Sequence, residues 1–169
     1  MTKAGGLVYI GVGSNLDHPV AQVKQARRDV AALDGVREAG FSSLYRSFPM
    51  GPPDQPAYIN AVMAVDTERP PHDLLTALQN IELAHGRIRT GERWGPRTLD
   101  LDLLLYGRCC MRSETLTLPH YGLPVRPFVL YPLAEIAPLD LLIPGLGTLG
   151  ELLRRCPRDG LECLEVDDD

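Results

Sequence analysis

Lysine is nearly absent: Lys3 and Lys24 stand against fifteen arginines, and the net charge is −5 at pH 7. A general nucleic-acid binder would carry a basic face, so the acidic balance argues against that class. Aromatic residues are few, with three Phe and one Trp, and no Lys/Arg-Gly-Phe run of the kind that stacks RNA bases is present. The four cysteines, Cys109, Cys110, Cys156 and Cys163, form no C-x-x-C pair, and their spacing suits neither a zinc site nor a secreted disulfide framework. No apolar run approaches about 18 residues, and residues 1–6 lack a signal-peptide core. These absences predict a reduced, cytoplasmic protein with neither a membrane span nor a nucleic-acid partner. A length of 169 residues suits a single domain, 1–169, whose acidic tail 165–169 is expected to fray. Such a domain buries roughly 70% of its unfolded surface and needs no staple.

What is present is concentrated in one stretch, residues 93–106. Leu99, Leu101, Leu103 and Leu105 alternate with other residues, the period of a β-strand with one buried face. Asp100 and Asp102 therefore share the opposite face, roughly 6.6 to 7 Å apart along the strand. Two unscreened carboxylates at that spacing repel, so a cation, or a pair of cations, is expected between them. Arg87, Arg89, Arg93 and Arg97 precede the strand in a short segment containing Gly and Pro. Guanidinium groups bind polyphosphate in a bidentate way. Carboxylates for Mg²⁺, arginines for phosphate and a tryptophan between them make the inventory of phosphoryl transfer from a nucleotide. A solvated strand face beside a solvated loop is the plainer alternative, and the clustering of the arginines argues against it.

Residues 7–12 read as a buried strand entering Gly11-Val12-Gly13-Ser14-Asn15, whose glycines permit a tight turn or a close backbone approach. Asp17 and Pro19 mark a helix start, and Val20, Val23, Ala26, Val30 and Leu33 repeat at helical spacing. A second strand is expected over residues 36–47, stopped by a proline-rich loop through Pro56. Residues 58–67 alternate as a third strand, with Tyr58 and Asn60 on one face and Ile59, Ala61 and Met63 on the other. Pro70-Pro71 opens a second helix that carries Gln79 and Glu82 three apart on one face and ends near Gly86. The order strand, helix, strand, strand, helix, strand is the split βαβ of ferredoxin-like folds: α+β, an antiparallel sheet with helices on its faces in three α/β/α layers. Farther on, Gly107 marks a turn, and residues 116–121 form a short extended piece. Residues 128–136 are an apolar run that periodicity leaves unassigned. Thr148-x-x-Glu151 is a capping-box signature for a last helix.

With these residues in view, the chain resembles the 6-hydroxymethyl-7,8-dihydropterin pyrophosphokinases of folate biosynthesis. Arg93-Trp94-Gly95-Pro96-Arg97-Thr98-Leu99-Asp100-Leu101-Asp102-Leu103-Leu104 is similar to that family's signature. Gly13-Ser14-Asn15, Tyr45-Arg46-Ser47 leading to Gly51 and Gln55, Tyr58-Ile59-Asn60, Pro119-His120-Tyr121 and Arg126-Pro127-Phe128-Val129-Leu130 follow in the family's order. The resemblance implies transfer of pyrophosphate from ATP to the pterin hydroxymethyl oxygen, releasing AMP. It gives Asp100 and Asp102 as ligands of two Mg²⁺; no residue is an obvious strong base, so the hydroxyl is expected to be acidified by the metal on Asp102 or, as the second reading, oriented by Asp102 itself. Arg87 and Arg97 become stabilisers of the transferring group, assisted by Arg89 and Arg93, and Trp94 becomes a cover over the substrates. Tyr58 and Phe128 resemble the pair that stacks the pterin, and Asn60 with groups near Ser47 and Met50 would read its pyrimidinone edge. For the nucleotide the family implies Gln79, Glu82, Leu103, Thr117, His120, Tyr121 and Arg126. The expected partners are ATP and hydroxymethyl-dihydropterin, and the expected state is a monomer.

Two rivals belong to other classes. Nucleotidyl transferases also combine Gly-Ser with Asp-x-Asp, but there the two elements are near neighbours, whereas here both central strands and a helix separate Gly13-Ser14 from Asp100. A noncatalytic ferredoxin-like module for a metabolite would not need Mg-type carboxylates beside four arginines.

Overall fold

The computed structural model describes residues 7–15, 18–47, 57–85, 99–158 and 160–164. Its first half alternates strands and helices: β1 (Val8–Ser14), α1 (Pro19–Ala31), β2 (Val36–Phe41), β3 (Tyr45–Ser47), β4 (Tyr58–Thr67), α2 (Pro71–Ala84) and β5 (Asp100–Tyr106). The second half holds the hairpins β6 (Met111–Arg112) with β7 (Thr117–Leu118) and β8 (Leu142–Ile143) with β9 (Gly147–Thr148). It also contributes α3 (Pro127–Ile136), α4 (Leu149–Arg154) and β10 (Leu161–Cys163). The main sheet runs β10-β3-β4-β1-β5, with β2 also on β4, and its pairs are antiparallel. This is the expected split βαβ.

Both sheet faces are apolar because both are covered. On one, Ile10, Met63, Leu101 and Leu103 pack under Val23, Ala26 and Val30 of α1 and Leu74, Leu78 and Ile81 of α2. On the other, Tyr9, Val62, Ala64 and Leu104 pack under Leu130 and Leu133 of α3 and Leu149 and Leu152 of α4. The three layers follow. The unassigned apolar run thus becomes α3, started by Pro127 in the first turn, where a missing N–H costs nothing. At α4 the capping box forms: the Thr148 amide donates to Glu151 Oε1 at 2.9 Å, and the Glu151 amide donates to Thr148 Oγ1 at 3.2 Å.

Three expectations need correction. The leucine alternation of β5 does not continue to Leu105: the register passes from Ile10↔Leu103 to Tyr9↔Leu105, so Leu104 is an inserted bulge residue. Leu104 and Leu105 consequently both join the α3 and α4 side, and Tyr106 turns to the other. The expected strand 36–47 is two strands, because Ser42 interrupts it. The Ser42 amide donates to the Val62 carbonyl, while the Val62 amide donates to the Ser42 hydroxyl, each at 2.9 Å, so a side chain replaces one backbone acceptor. Finally, Gly11 and Gly13 lie within β1, which runs on to Ser14, and not in a turn. Helix α1 begins at Pro19 as expected, whereas Asp17 and the tail 165–169 lie outside the described residues.

Replacing Ser42 by Ala leaves the buried Val62 amide without that acceptor, and the expected loss is about 1 to 3 kcal/mol. Urea unfolding at unchanged m-value measures it; a loss below about 0.5 kcal/mol, the range of an ordinary surface change, would show that the break between β2 and β3 does not depend on this hydroxyl.

Candidate active site

Cross-strand register assembles the site. Tyr45 pairs with Asn60, Asn60 with Gly13, and Gly13 with Asp100, a row across four strands whose members share one face. The neighbouring row brings Val62, Gly11 and Asp102 into line. The two glycines leave β1 bare beside the carboxylates. A Cβ on Gly13 would stand 3.1 Å from Asn60 Oδ1, so the absence of a side chain is what lets Asn60 lie over this strand. The Asn60 amide nitrogen donates to Ser47 Oγ at 2.7 Å, which fixes its orientation.

Over these rows lies a cavity of about 480 Å³, lined by Ser47, Tyr58, Asn60, Asp100, Asp102, Arg126 and Phe128 among others. Burial, and then the charge of Asp100, push the Tyr58 phenol above its ordinary value, so it is a neutral group at physiological pH. The Arg126 guanidinium carbon lies 5.7 Å from the centre of the Phe128 ring and 5.6 Å from that of Tyr121. That places a held cation between two ring faces.

Tyr121 opens onto a second cavity of about 580 Å³, which Thr117 and His120 also line. The His120 and Tyr121 rings stack with centroids 4.7 Å apart. His120 Nδ1 accepts the Gly122 amide at 3.0 Å, so in the neutral ring the proton is on Nε2. Burial lowers the imidazole pKa below 6.5; the Asp102 charge opposes this and the Arg126 charge adds to it. Arg126 thus lines the cavity that holds the carboxylates, and its guanidinium faces Tyr121, which lines the second cavity with His120.

Seven of the residues singled out in the sequence therefore meet in the first cavity, and Thr117, His120 and Tyr121 meet in the second. Gln79, Glu82 and Leu103 line neither. Leu103 is buried under α1 and α2, and Glu82, 4% exposed, accepts the Leu101 amide at 2.7 Å, tying α2 to β5. Met50, Arg87, Arg89, Arg93, Trp94 and Arg97 lie outside the described residues. The structure adds Gly160 and Leu161 to the lining of the first cavity. Nothing in their local sequence signals this, because a pairing over more than a hundred residues puts them there.

Residues 9–138 match the model of the 7,8-dihydro-6-hydroxymethylpterin-pyrophosphokinase (HPPK) family. The chain belongs to that family. A Pseudomonas aeruginosa 2-amino-4-hydroxy-6-hydroxymethyldihydropteridine pyrophosphokinase is 50% identical over 157 residues, covering 93% of this chain and 96% of the relative. The enzyme of that name from Haemophilus influenzae is 47% identical over 147 residues, covering 87% and 91%. Among solved structures, a Plasmodium falciparum HPPK-DHPS superposes with a TM-score of 0.67 at 10% identity over 95% of this chain, which shows the shared fold. This chain spans 47% of the length of that one.

The lowered His120 pKa has a sign that can be checked. Between 6.5 and the lower folded value the unfolded chain binds the proton and the folded chain does not, so the contribution of His120 to stability is complete above 6.5 and is lost as the pH falls through that window. At pH 6.5 the imidazole is expected to be more than half neutral, with its proton on Nε2, as read from ring nitrogen shifts by NMR; a ring more than half protonated there contradicts the geometry.

Proposed function

We propose that the chain is an HPPK-family diphosphotransferase that moves a pyrophosphoryl group from ATP to the hydroxymethyl oxygen of 6-hydroxymethyl-7,8-dihydropterin, giving AMP and the dihydropterin diphosphate of folate biosynthesis. The observation that carries this reading is one cavity holding both a carboxylate pair, Asp100 and Asp102, and an aromatic and amide lining of Tyr58, Asn60 and Phe128. A flat, polar-edged ring and a polyphosphate need different walls, and this cavity has both kinds.

The bicyclic ring lies between Tyr58 and Phe128, each contact being worth about 1 to 3 kcal/mol by analogy with base stacking. Asn60, held by Ser47, reads the pyrimidinone edge, and buried polar groups that a wrong ring would leave unpaired supply discrimination. From its place in the sequence, Met50 is proposed to contact the same edge. The hydroxymethyl group then points along the row toward the carboxylates. Asp100 and Asp102 are hard oxygen donors, the type that holds Mg²⁺. Among the described residues no group of three or more His, Cys, Asp or Glu could hold an ion alone. A pair of carboxylates suits Mg²⁺, which binds through one or two carboxylates while phosphate oxygens and water complete its octahedron. Two such ions are proposed, and the chemistry they supply when bound is neutralisation of the triphosphate, which exposes the β-phosphorus to in-line attack.

The protein's own groups do the positioning. Asp102 orients the attacking hydroxyl. Arg126 faces the phosphates, and neutral His120 donates from Nε2 toward the nucleotide, with Thr117 and Tyr121 lining its cavity. Gln79, Glu82 and Leu103, which line neither cavity, are proposed to act on the nucleotide side indirectly, Glu82 by tying α2 to β5 through the Leu101 amide. Arg87 and Arg97, which precede β5 in sequence, supply cations for the transferring group; Arg89 and Arg93 assist, and Trp94 covers the substrates. Preorganised charge of this kind acts where negative charge develops. The setting proposed is a monomer in the reducing cytoplasm, where the four free cysteines would stay reduced; among the described residues no helix is long and apolar enough to cross a membrane.

Incubation with ATP, Mg²⁺ and the reduced hydroxymethylpterin is expected to release AMP; release of ADP would refute two-phosphate transfer. Asp100→Asn and Asp102→Asn are each expected to lower kcat by at least about 100-fold, since even partners one shell removed from a metal cost up to that. Near-normal turnover of either variant with Mg²⁺ would remove that carboxylate from the mechanism.

A further inference from the structure

We propose that Leu161, set by Gly160, is a specificity-determining wall of the pterin slot that limits what the ring can carry on the edge remote from its hydroxymethyl group. The inference rests on the reading of the first cavity as the pterin site. Both residues lie beyond residues 9–138, the extent of the match to the family.

The geometry comes from β10. It pairs antiparallel with β3, Leu161 opposite Ser47, Glu162 opposite Arg46 and Cys163 opposite Tyr45. Ser47 in turn faces Tyr58, and Tyr45 faces Asn60. Opposed residues share a sheet face, so Leu161 stands on the cavity face in line with Ser47 and Tyr58. Four strand spacings separate β10 from β5, about 19 Å at roughly 4.8 Å each. The slot therefore runs from the carboxylates on β5, past Gly13 and Asn60, to Leu161. A ring whose hydroxymethyl arm reaches toward Asp100 and Asp102 presents its pyrimidinone edge to Ser47 and, behind it, to Leu161.

The wall is held in place rather than loosely laid there. Arg46 and Glu162 pair at 2.7 Å on the opposite face, and the Leu164 amide donates to the Leu44 carbonyl at 2.8 Å. Just before β10, the Arg158 guanidinium lies 5.9 Å from the centre of the Tyr45 ring and 5.6 Å from that of Tyr131 on α3. Gly160 has φ +76°, the left-handed region, and a Cβ built on it meets nothing within 4 Å. Its role is backbone shape: it turns the chain so that Leu161 enters the slot.

The test compares two substrates, the parent hydroxymethyl-dihydropterin and its analogue methylated on the 2-amino nitrogen, by AMP release with saturating ATP. Leu161→Ala should raise the kcat/KM ratio of methylated over parent substrate by about 10-fold or more, the low end for one methylene in a pocket. Leu161→Phe should lower that ratio, and the KM for ATP should stay within twofold in both. A residue that only stabilised the fold would change the melting temperature of the variants and leave the ratio alone. An unchanged ratio in both variants overturns the wall while parent turnover by the wild type upholds the pterin site. Absence of wild-type turnover and of pterin binding overturns the site, and the wall with it.

Discussion

The register of β5 against β1 is the constraint on which the site depends. Leu99, Leu101 and Leu103 are buried beneath α1 and α2, and that burial commits Asp100 and Asp102 to the other face. A slip of one residue would drive both carboxylates into the core and bring the leucines into the cavity, a cost no local rearrangement could offset. The bulge at Leu104 comes after the aspartates, so it reorients the end of the strand without disturbing them. Helix α2 reinforces the register from outside, where the buried Glu82 accepts the Leu101 amide between the two aspartates.

Glycine and asparagine divide the rest of the work on the sheet. Gly11 and Gly13 contribute absence, a bare strip of β1 next to the carboxylates, and Asn60 lies over that strip with its amide held by Ser47. The second layer is organised by α3. Its Glu135 accepts the Ser43 amide at 2.8 Å and the Tyr45 hydroxyl, so the helix grips β3, the strand that carries Ser47 and pairs with the edge strand β10. The Tyr45 phenol is well above its ordinary value, through burial first and then Glu135, and acts there as a donor. The same helix begins with Arg126, Pro127 and Phe128, so its two ends serve the two sides of one cavity.

Much of this was legible in the chain. Period-two leucines, helical spacing and proline punctuation announced the split βαβ, and Asp-x-Asp after an arginine-rich segment announced charged-group chemistry. The motif order named the family. The misread parts share a cause. Ser42 ends a strand because its hydroxyl meets the Val62 amide, a partner on another strand, and Leu105 changes face because Tyr9 and Ile10 shift the pairing. Neither partner is near in sequence, so no local window contains the reason.

The sequence by itself determined the periodicities, the residue chemistry and the family, since those depend on side-chain types at short spacing. Only the tertiary structure decided that Asp100, Gly13, Asn60 and Tyr45 form one row, that Arg126 lies over the rings of Tyr121 and Phe128, and that Gly160 and Leu161 line the same cavity as the carboxylates. The physical reason is that hydrogen-bonded register joins residues tens to more than a hundred positions apart. A site built across strands is a property of their pairing, not of any one of them.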